Sequence, residues 1–140
     1  MSFYTIVPLN LICIDLSREL KNLSPGIKLV LGGPQASLTA QICLQKFPEI
    51  DFVCRGEGET TIVPFLESVL GKNERSFEEV RGLSYRKSNE ILHNASPEIL
   101  PDNYKRGFQY YDLIPEKVIK ESNFASIDVG RGCPFKCTFC

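Results

Sequence analysis

The sequence has no excess charge of either sign: sixteen basic and seventeen acidic side chains leave a net charge of -1 over 140 residues. Without a basic surplus there is little to grip a phosphate backbone, which disfavours nucleic acid as a partner. There is also no unbroken apolar run of the roughly 18 residues that a bilayer span needs, so no membrane partner is expected. Residues 1–16 are apolar but lack the positively charged leader of a secretory signal, and Asp15 interrupts them, so the expected compartment is cytoplasmic. Histidine is nearly absent, His93 being the only one. No internal repeat or low-complexity tract occurs. The length allows one cored domain but not two, and it falls short of the roughly 200 residues of a complete barrel enzyme. With 43% hydrophobic and 24% charged residues, the composition is that of a folded chain rather than a disordered one.

Six cysteines are present, and their distribution speaks against a disulfide framework. Cys13, Cys43 and Cys54 stand singly in apolar stretches, where a free thiol behaves as a small hydrophobe. Cys133, Cys137 and Cys140 crowd together at the other end of the chain. In a reducing compartment such close spacing signals metal or redox chemistry.

Between these ends the pattern alternates. Ser2 to Val7 reads as a strand, and Leu9, Ile12, Leu16, Leu20 and Leu23 then recur at helical spacing, closed by Ser24-Pro25-Gly26. Ile27 to Leu31 predicts a second strand ending at Gly32-Gly33-Pro34, followed by a helix capped by Ser37 and carrying Leu38, Ile42 and Leu44. Ile50 to Cys54 predicts a third strand, and a third helix runs through Ile62, Phe65, Leu66 and Val69 to Gly71. Capping by Thr60 or Thr61 would put Pro64 in or just beyond its first turn, where proline is tolerated. Residues 82–87 and 90–94, joined by Ser88-Asn89, predict an edge hairpin. Residues 96–124 read as an irregular linker, and 125–129 as one more strand. The expected fold is α/β: a partial doubly wound parallel sheet of Rossmann-like type with a hairpin, a linker and a further strand.

Two constellations carry chemistry. The first is Cys133-Pro-Phe-Lys-Cys137-Thr-Phe-Cys140, with Gly130 and Gly132 leading in and Arg131 and Lys136 alongside to offset thiolate charge. Three thiolates at this spacing can converge on one inorganic cluster and leave an iron without a protein ligand. The alternatives are unliganded thiols and a zinc knuckle completed by His93, which lies far from the usual zinc spacing. The second comprises Gly32-Gly33 and Gly56-Glu57-Gly58, both at carboxyl ends of predicted parallel strands, where open α/β sheets bind ligands. The alternative is that these glycines only make turns. Glu57 and Glu59 read as polarising a helix start rather than as an acid–base pair, and Arg55 as a surface or ligand-edge charge.

The cysteine loop resembles the cluster motif of the radical S-adenosylmethionine enzymes. Leu29 to Ala36, Pro48 to Glu59, Gly82 to Arg86 and Tyr111 to Pro115 are similar, in order, to the cobalamin-dependent class of that superfamily. The resemblance implies that residues 1–95 are the C-terminal part of a cobalamin-binding domain, 96–124 a linker, and 125–140 the first barrel strand and cluster loop. It implies Cys133, Cys137 and Cys140 as ligands of a 4Fe-4S cluster whose open iron chelates S-adenosylmethionine, with Phe139 near the adenine. It implies cobalamin against Ser2, Tyr4, Gly32, Gly33, Pro34, Gly56, Glu57 and Gly58. The class performs radical methyl transfer, cyclisation or related C–H chemistry. Two βα units that come first in that domain, and most of the barrel, have no counterpart here. The expectation is therefore a fragment without independent turnover. Two other readings remain open: a corrinoid-binding or assembly module completed by a partner chain, and a small zinc-stabilised domain.

Overall fold

The computed structural model describes residues 2–4, 10–72, 76–100, 114–122 and 137–138, with residues 2–4, 10 and 11 described by backbone alone. The chain divides into two compact units, Met1–Asp102 and Asn103–Cys140. In the first unit the order is β1 (Ser2–Tyr4), α1 (Asn10–Leu23), β2 (Val30–Gly32), α2 (Pro34–Leu38), α3 (Ala40–Lys46), β3 (Phe52–Cys54) and α4 (Gly58–Val69). A 3-10 turn at Phe77–Glu79 and the hairpin β4 (Leu83–Lys87) and β5 (Glu90–His93) complete it. One sheet takes the strands in sequential order, β1-β2-β3-β4-β5. The first three are parallel, with Phe3 opposite Leu31 and Leu31 opposite Val53. β4 then pairs antiparallel with β3, Val53 opposite Ser84, and β5 antiparallel with β4.

Period-two alternation in the strands divides the core into two layers. Leu31 and Val53 face Ile14 of α1 and Ala36, Ala40, Cys43 and Leu44 of α2 and α3. Val30, Phe52 and Cys54 face the other way, onto Phe65 of α4, Val80, Leu83 and Tyr85. Helices thus cover both faces, and the first two crossovers lie on one side, as right-handed βαβ connections require. The second layer centres on Phe52, whose ring meets Phe65 edge-on at 4.9 Å and Phe77 at 5.1 Å. Burying rings of this kind contributes about 2–3 kcal/mol each.

The elements follow the sequence pattern, but several details differ from expectation. In α1 the expected apolar stripe is not the packed face: Ile12 and Leu16 are 62% and 41% exposed, and Leu23 is exposed, while Ile14 and Ser17 are buried. Ser17 can go inside because its hydroxyl donates to its own helix, to Cys13 O at 2.6 Å. Lys21 then fastens the helix end to Ile27 O and Asp51. The second helix is not capped by Ser37. It starts at Pro34, breaks at Thr39 and resumes as α3, leaving Leu38 and Ile42 exposed. The third begins at Gly58, so Pro64 lies inside it rather than near its first turn. The Pro64 carbonyl nonetheless accepts from Ser68 Oγ at 3.0 Å.

The hairpin lies on the sheet edge as the sequence indicates. Its Arg86 guanidinium donates to Leu44 O (3.0 Å), Phe47 O (2.8 Å) and Ile50 O (2.6 Å), satisfying carbonyls at the end of α3 and in the turn before β3. In the second unit the stretch expected to be an irregular linker contains a helix, α5 (Glu116–Glu121), with Lys120 paired to Glu116 one turn apart. The expected strand at 125–129, together with Cys133, Phe139 and Cys140, lies outside the described residues. Among the described residues no helix is long and apolar enough to cross a membrane.

Candidate functional site

Parallel pairing brings the exits of β1, β2 and β3 to one edge of the sheet. Tyr4 is opposite Gly32 in the ladder, and β3 ends one strand further on at Cys54. Glycines follow both β2 and β3. Gly33 turns the chain into α2 with φ 99°, and Gly56 turns it toward α4 with φ 73°, a region that favours glycine. Pro34 occupies the first turn of α2, where its missing N–H costs nothing. Glu57 stands at the N-cap of α4 without a capping side-chain bond. A side chain at Gly58 would project into open space, with nothing within 4 Å.

The two glycine loops are joined through Ser37. Its hydroxyl donates to Gly33 O at 2.8 Å and accepts from the Gly56 N–H at 2.9 Å. On its other side Gly56 meets Pro97, whose Cγ lies 2.6 Å from where a Cβ would stand. Part of the freedom read as room for a ligand is therefore filled by the chain's own proline. Arg55 is not a loose surface charge: its backbone N–H donates to Gly82 O at 2.8 Å and its guanidinium to Asn94 O.

Two buried polar atoms near these loops, Gln35 Oε1 and Arg55 Nε, have no hydrogen-bond partner among the described residues. Buried polar atoms are normally satisfied, so an acceptor and a donor left over beside glycine loops suit a polar ligand. A corrinoid fits this donor set: its rim carries amides that both donate and accept, and its bulk needs the close backbone approach that glycine permits. The sequence pattern gives Gln35 no role of its own and makes Ser37 a cap. Only the fold reveals that Ser37 spans two loops distant in sequence. A separate cavity of about 540 Å³, lined by Lys28, Asp51, Phe52, Tyr85 and Lys87 among others, opens at the opposite end of the sheet and shares no residue with these loops.

The other cysteine-based expectations fare differently. Cys137 is exposed, and the remaining two cysteines of its motif lie outside the described residues. Among the described residues no three His, Cys, Asp or Glu side chains gather to hold a metal ion. His93 has both ring nitrogens engaged, Nδ1 with Ser84 Oγ at 2.8 Å and Nε2 with Gln41 Oε1 at 2.6 Å. It therefore offers zinc no open nitrogen. Cys54 is buried, and desolvation pushes its thiol up to about 11, which suits a core hydrophobe.

Helices on both faces of a mixed sheet, with glycine loops at the exits of its parallel strands, define an α/β domain of ligand-binding type. Residues 10–66 match the family model described as the B12 binding domain. Residues 10–66 are thus a cobalamin-binding-type domain, and the chain is related in sequence to cobalamin-dependent radical S-adenosylmethionine enzymes. It is 30% identical over 122 residues to an uncharacterized methyltransferase of Pyrococcus horikoshii, covering 86% of this chain and 26% of that protein. With the anaerobic magnesium-protoporphyrin IX monomethyl ester cyclase of Synechocystis it shares 28% identity over 83% of this chain and 23% of the cyclase. The cobalamin-dependent radical SAM methyltransferase TokK of Streptomyces tokunonensis is 24% identical, over 91% of this chain and 19% of TokK. The chain thus spans about a quarter or less of these relatives. In fold it resembles the cobalamin-dependent S-adenosylmethionine radical enzyme OxsB, solved with aqua-cobalamin and S-adenosylmethionine bound. The TM-score is 0.53 at 24% identity, over 65% of this chain and 13% of OxsB.

Proposed function

We propose that this chain is a fragment of a cytoplasmic cobalamin-dependent radical S-adenosylmethionine enzyme, holding part of its corrinoid site and its cluster loop, without turnover of its own. The observation that carries the reading is the pair of glycine loops tied together at the exits of parallel strands, within the segment that matches the B12 binding domain. Tyr4, Gly32, Gly33 and Pro34 on one side and Gly56, Glu57 and Gly58 on the other frame the ligand, with Ser2 further back on β1. Gln35 offers its carbonyl oxygen and Arg55 its Nε–H to corrin amides. A corrinoid held there supplies a methyl carrier. Cys133, Cys137 and Cys140 would hold a 4Fe-4S cluster with S-adenosylmethionine at its open iron and Phe139 beside the adenine, supplying one-electron chemistry. The parent reaction is radical methyl transfer or ring closure. The outer edge of β1, at one end of the strand order, would pair with further strands of the same polypeptide or of a partner chain.

Titration of anaerobically purified chain with hydroxocobalamin, followed by its visible absorption, tests the corrinoid site. The wild type is expected to shift the spectrum saturably. Gly58→Phe, placed where a side chain meets nothing, should fold normally and bind at least tenfold more weakly. Absence of a saturable shift in the wild type overturns the proposal. Iron–sulfide reconstitution, read near 400 nm, tests the cluster loop separately.

A further inference from the structure

We propose that Ser37 is the positioning residue of this site, fixing the separation of its two glycine loops and through it the affinity for a corrinoid. The inference rests on the corrinoid reading above.

Ser37 lies within α2, four residues beyond Gly33. A serine inside a helix commonly bonds back to the carbonyl of the preceding turn, and its 2.8 Å bond to Gly33 O has that form. Such a bond alone would be local. What sets Ser37 apart is its second contact, in which the same oxygen accepts the Gly56 N–H at 2.9 Å from a loop nineteen positions away. A hydroxyl has one proton to give. Spending it on Gly33 O leaves the oxygen lone pairs for Gly56, so the two bonds orient each other. One atom thereby spans the exits of two adjacent strands, β2 and β3.

Thr39 provides an internal comparison. Its hydroxyl makes the same backward bond, to Gln35 O at 2.8 Å, but its other contact is Cys43 Sγ, one turn further along the same segment of chain. Of these two hydroxyls only that of Ser37 reaches the neighbouring loop. Gly56 needs such an anchor because it holds a positive φ, and Pro97 packs against its α-carbon without offering an acceptor for its N–H. Removing the Ser37 oxygen leaves that N–H without this partner and lets the second loop drift from the first. A rigid ligand that bridges both loops must then restore their spacing at the expense of affinity.

The test compares the wild type with Ser37→Ala, Ser37→Thr and Ser37→Cys. Hydroxocobalamin affinity and amide hydrogen exchange at Gly56 are the two readouts. Ser37→Ala is expected to raise Kd about tenfold and to speed Gly56 exchange, with far-UV circular dichroism unchanged. Ser37→Thr, which keeps the hydroxyl, should stay within about twofold of wild type on the same reasoning. Ser37→Cys keeps the volume but not the strong acceptor. It should follow Ser37→Ala, and it serves in its place if the alanine variant does not fold. Wild-type affinity in the alanine or cysteine variant overturns the positioning role, as does unchanged Gly56 exchange. No corrinoid binding by the wild type overturns the reading of the site instead. Gly56 exchange then still decides whether Ser37 tethers the loop.

Discussion

Gly56 shows how differently a residue reads in the sequence and in the fold. In the sequence it reads as room for a ligand, with turn-making as the alternative, and φ 73° shows that it makes a turn. What no local pattern could indicate is the cause of the crowding, since Pro97 arrives from the far side of the hairpin. Gly56→Ala combines left-handed strain with a collision at 2.6 Å. It should cost about 1–3 kcal/mol of stability, read as a lower urea midpoint at unchanged slope. Ser37 was equally hard to read. Serine ahead of an apolar run is a sound N-cap signal, but Gly33-Pro34 starts the helix earlier and leaves the hydroxyl free to reach across.

At the scale of elements, alternation and helical spacing located the strands and helices of the first unit, whereas the break at Thr39, the helix α5 within the expected linker and the packed face of α1 escaped. Leucines and isoleucines do not reveal that a serine is buried and a lysine half-buried, because Ser17 and Lys21 go in only once their polar atoms find carbonyl and carboxylate partners. The hairpin is fastened to α3 in the same polar manner, through Arg86 and through the Ser84–His93–Gln41 chain. Desolvation first, and the Arg55 charge second, hold the His93 imidazole below its ordinary range. A depressed imidazole value means that the unfolded chain takes up the proton more readily. The contribution is thus complete above the ordinary imidazole value and is lost as the pH falls through the lowered one. Urea midpoints should therefore drop between about pH 7 and pH 5, and His93→Gln should flatten that dependence. An equally steep drop in the variant would assign it to the carboxylates.

For the whole molecule, length and composition indicated one cored domain, whereas the chain divides into two compact units; the order of elements indicated the sheet covered on both sides that the first unit contains. Sequence could not show how the hairpin continues that sheet, because strand direction depends on tertiary pairing rather than on local pattern. Among the described residues, both core layers draw on the first unit. A chain ending at Asp102 should therefore keep a single cooperative unfolding transition and bind hydroxocobalamin within about threefold of the full chain. Loss of that transition, followed by circular dichroism, would show that Asn103–Cys140 is needed for the fold. The cysteine loop was the most legible motif of all, but a cluster site consists of the relative placement of three sulfur atoms, and spacing in sequence does not supply that placement.

Because β4 runs against β3, the polypeptide leaving the hairpin returns to the strand exits, and Pro97 comes to rest on Gly56. The chain leaving the hairpin therefore touches the second glycine loop while still within the first unit. Any shift at the exit of the hairpin is thereby felt at that loop through a single ring pressed on bare backbone, so the last strand of the sheet and a strand-exit loop are coupled without a shared ligand.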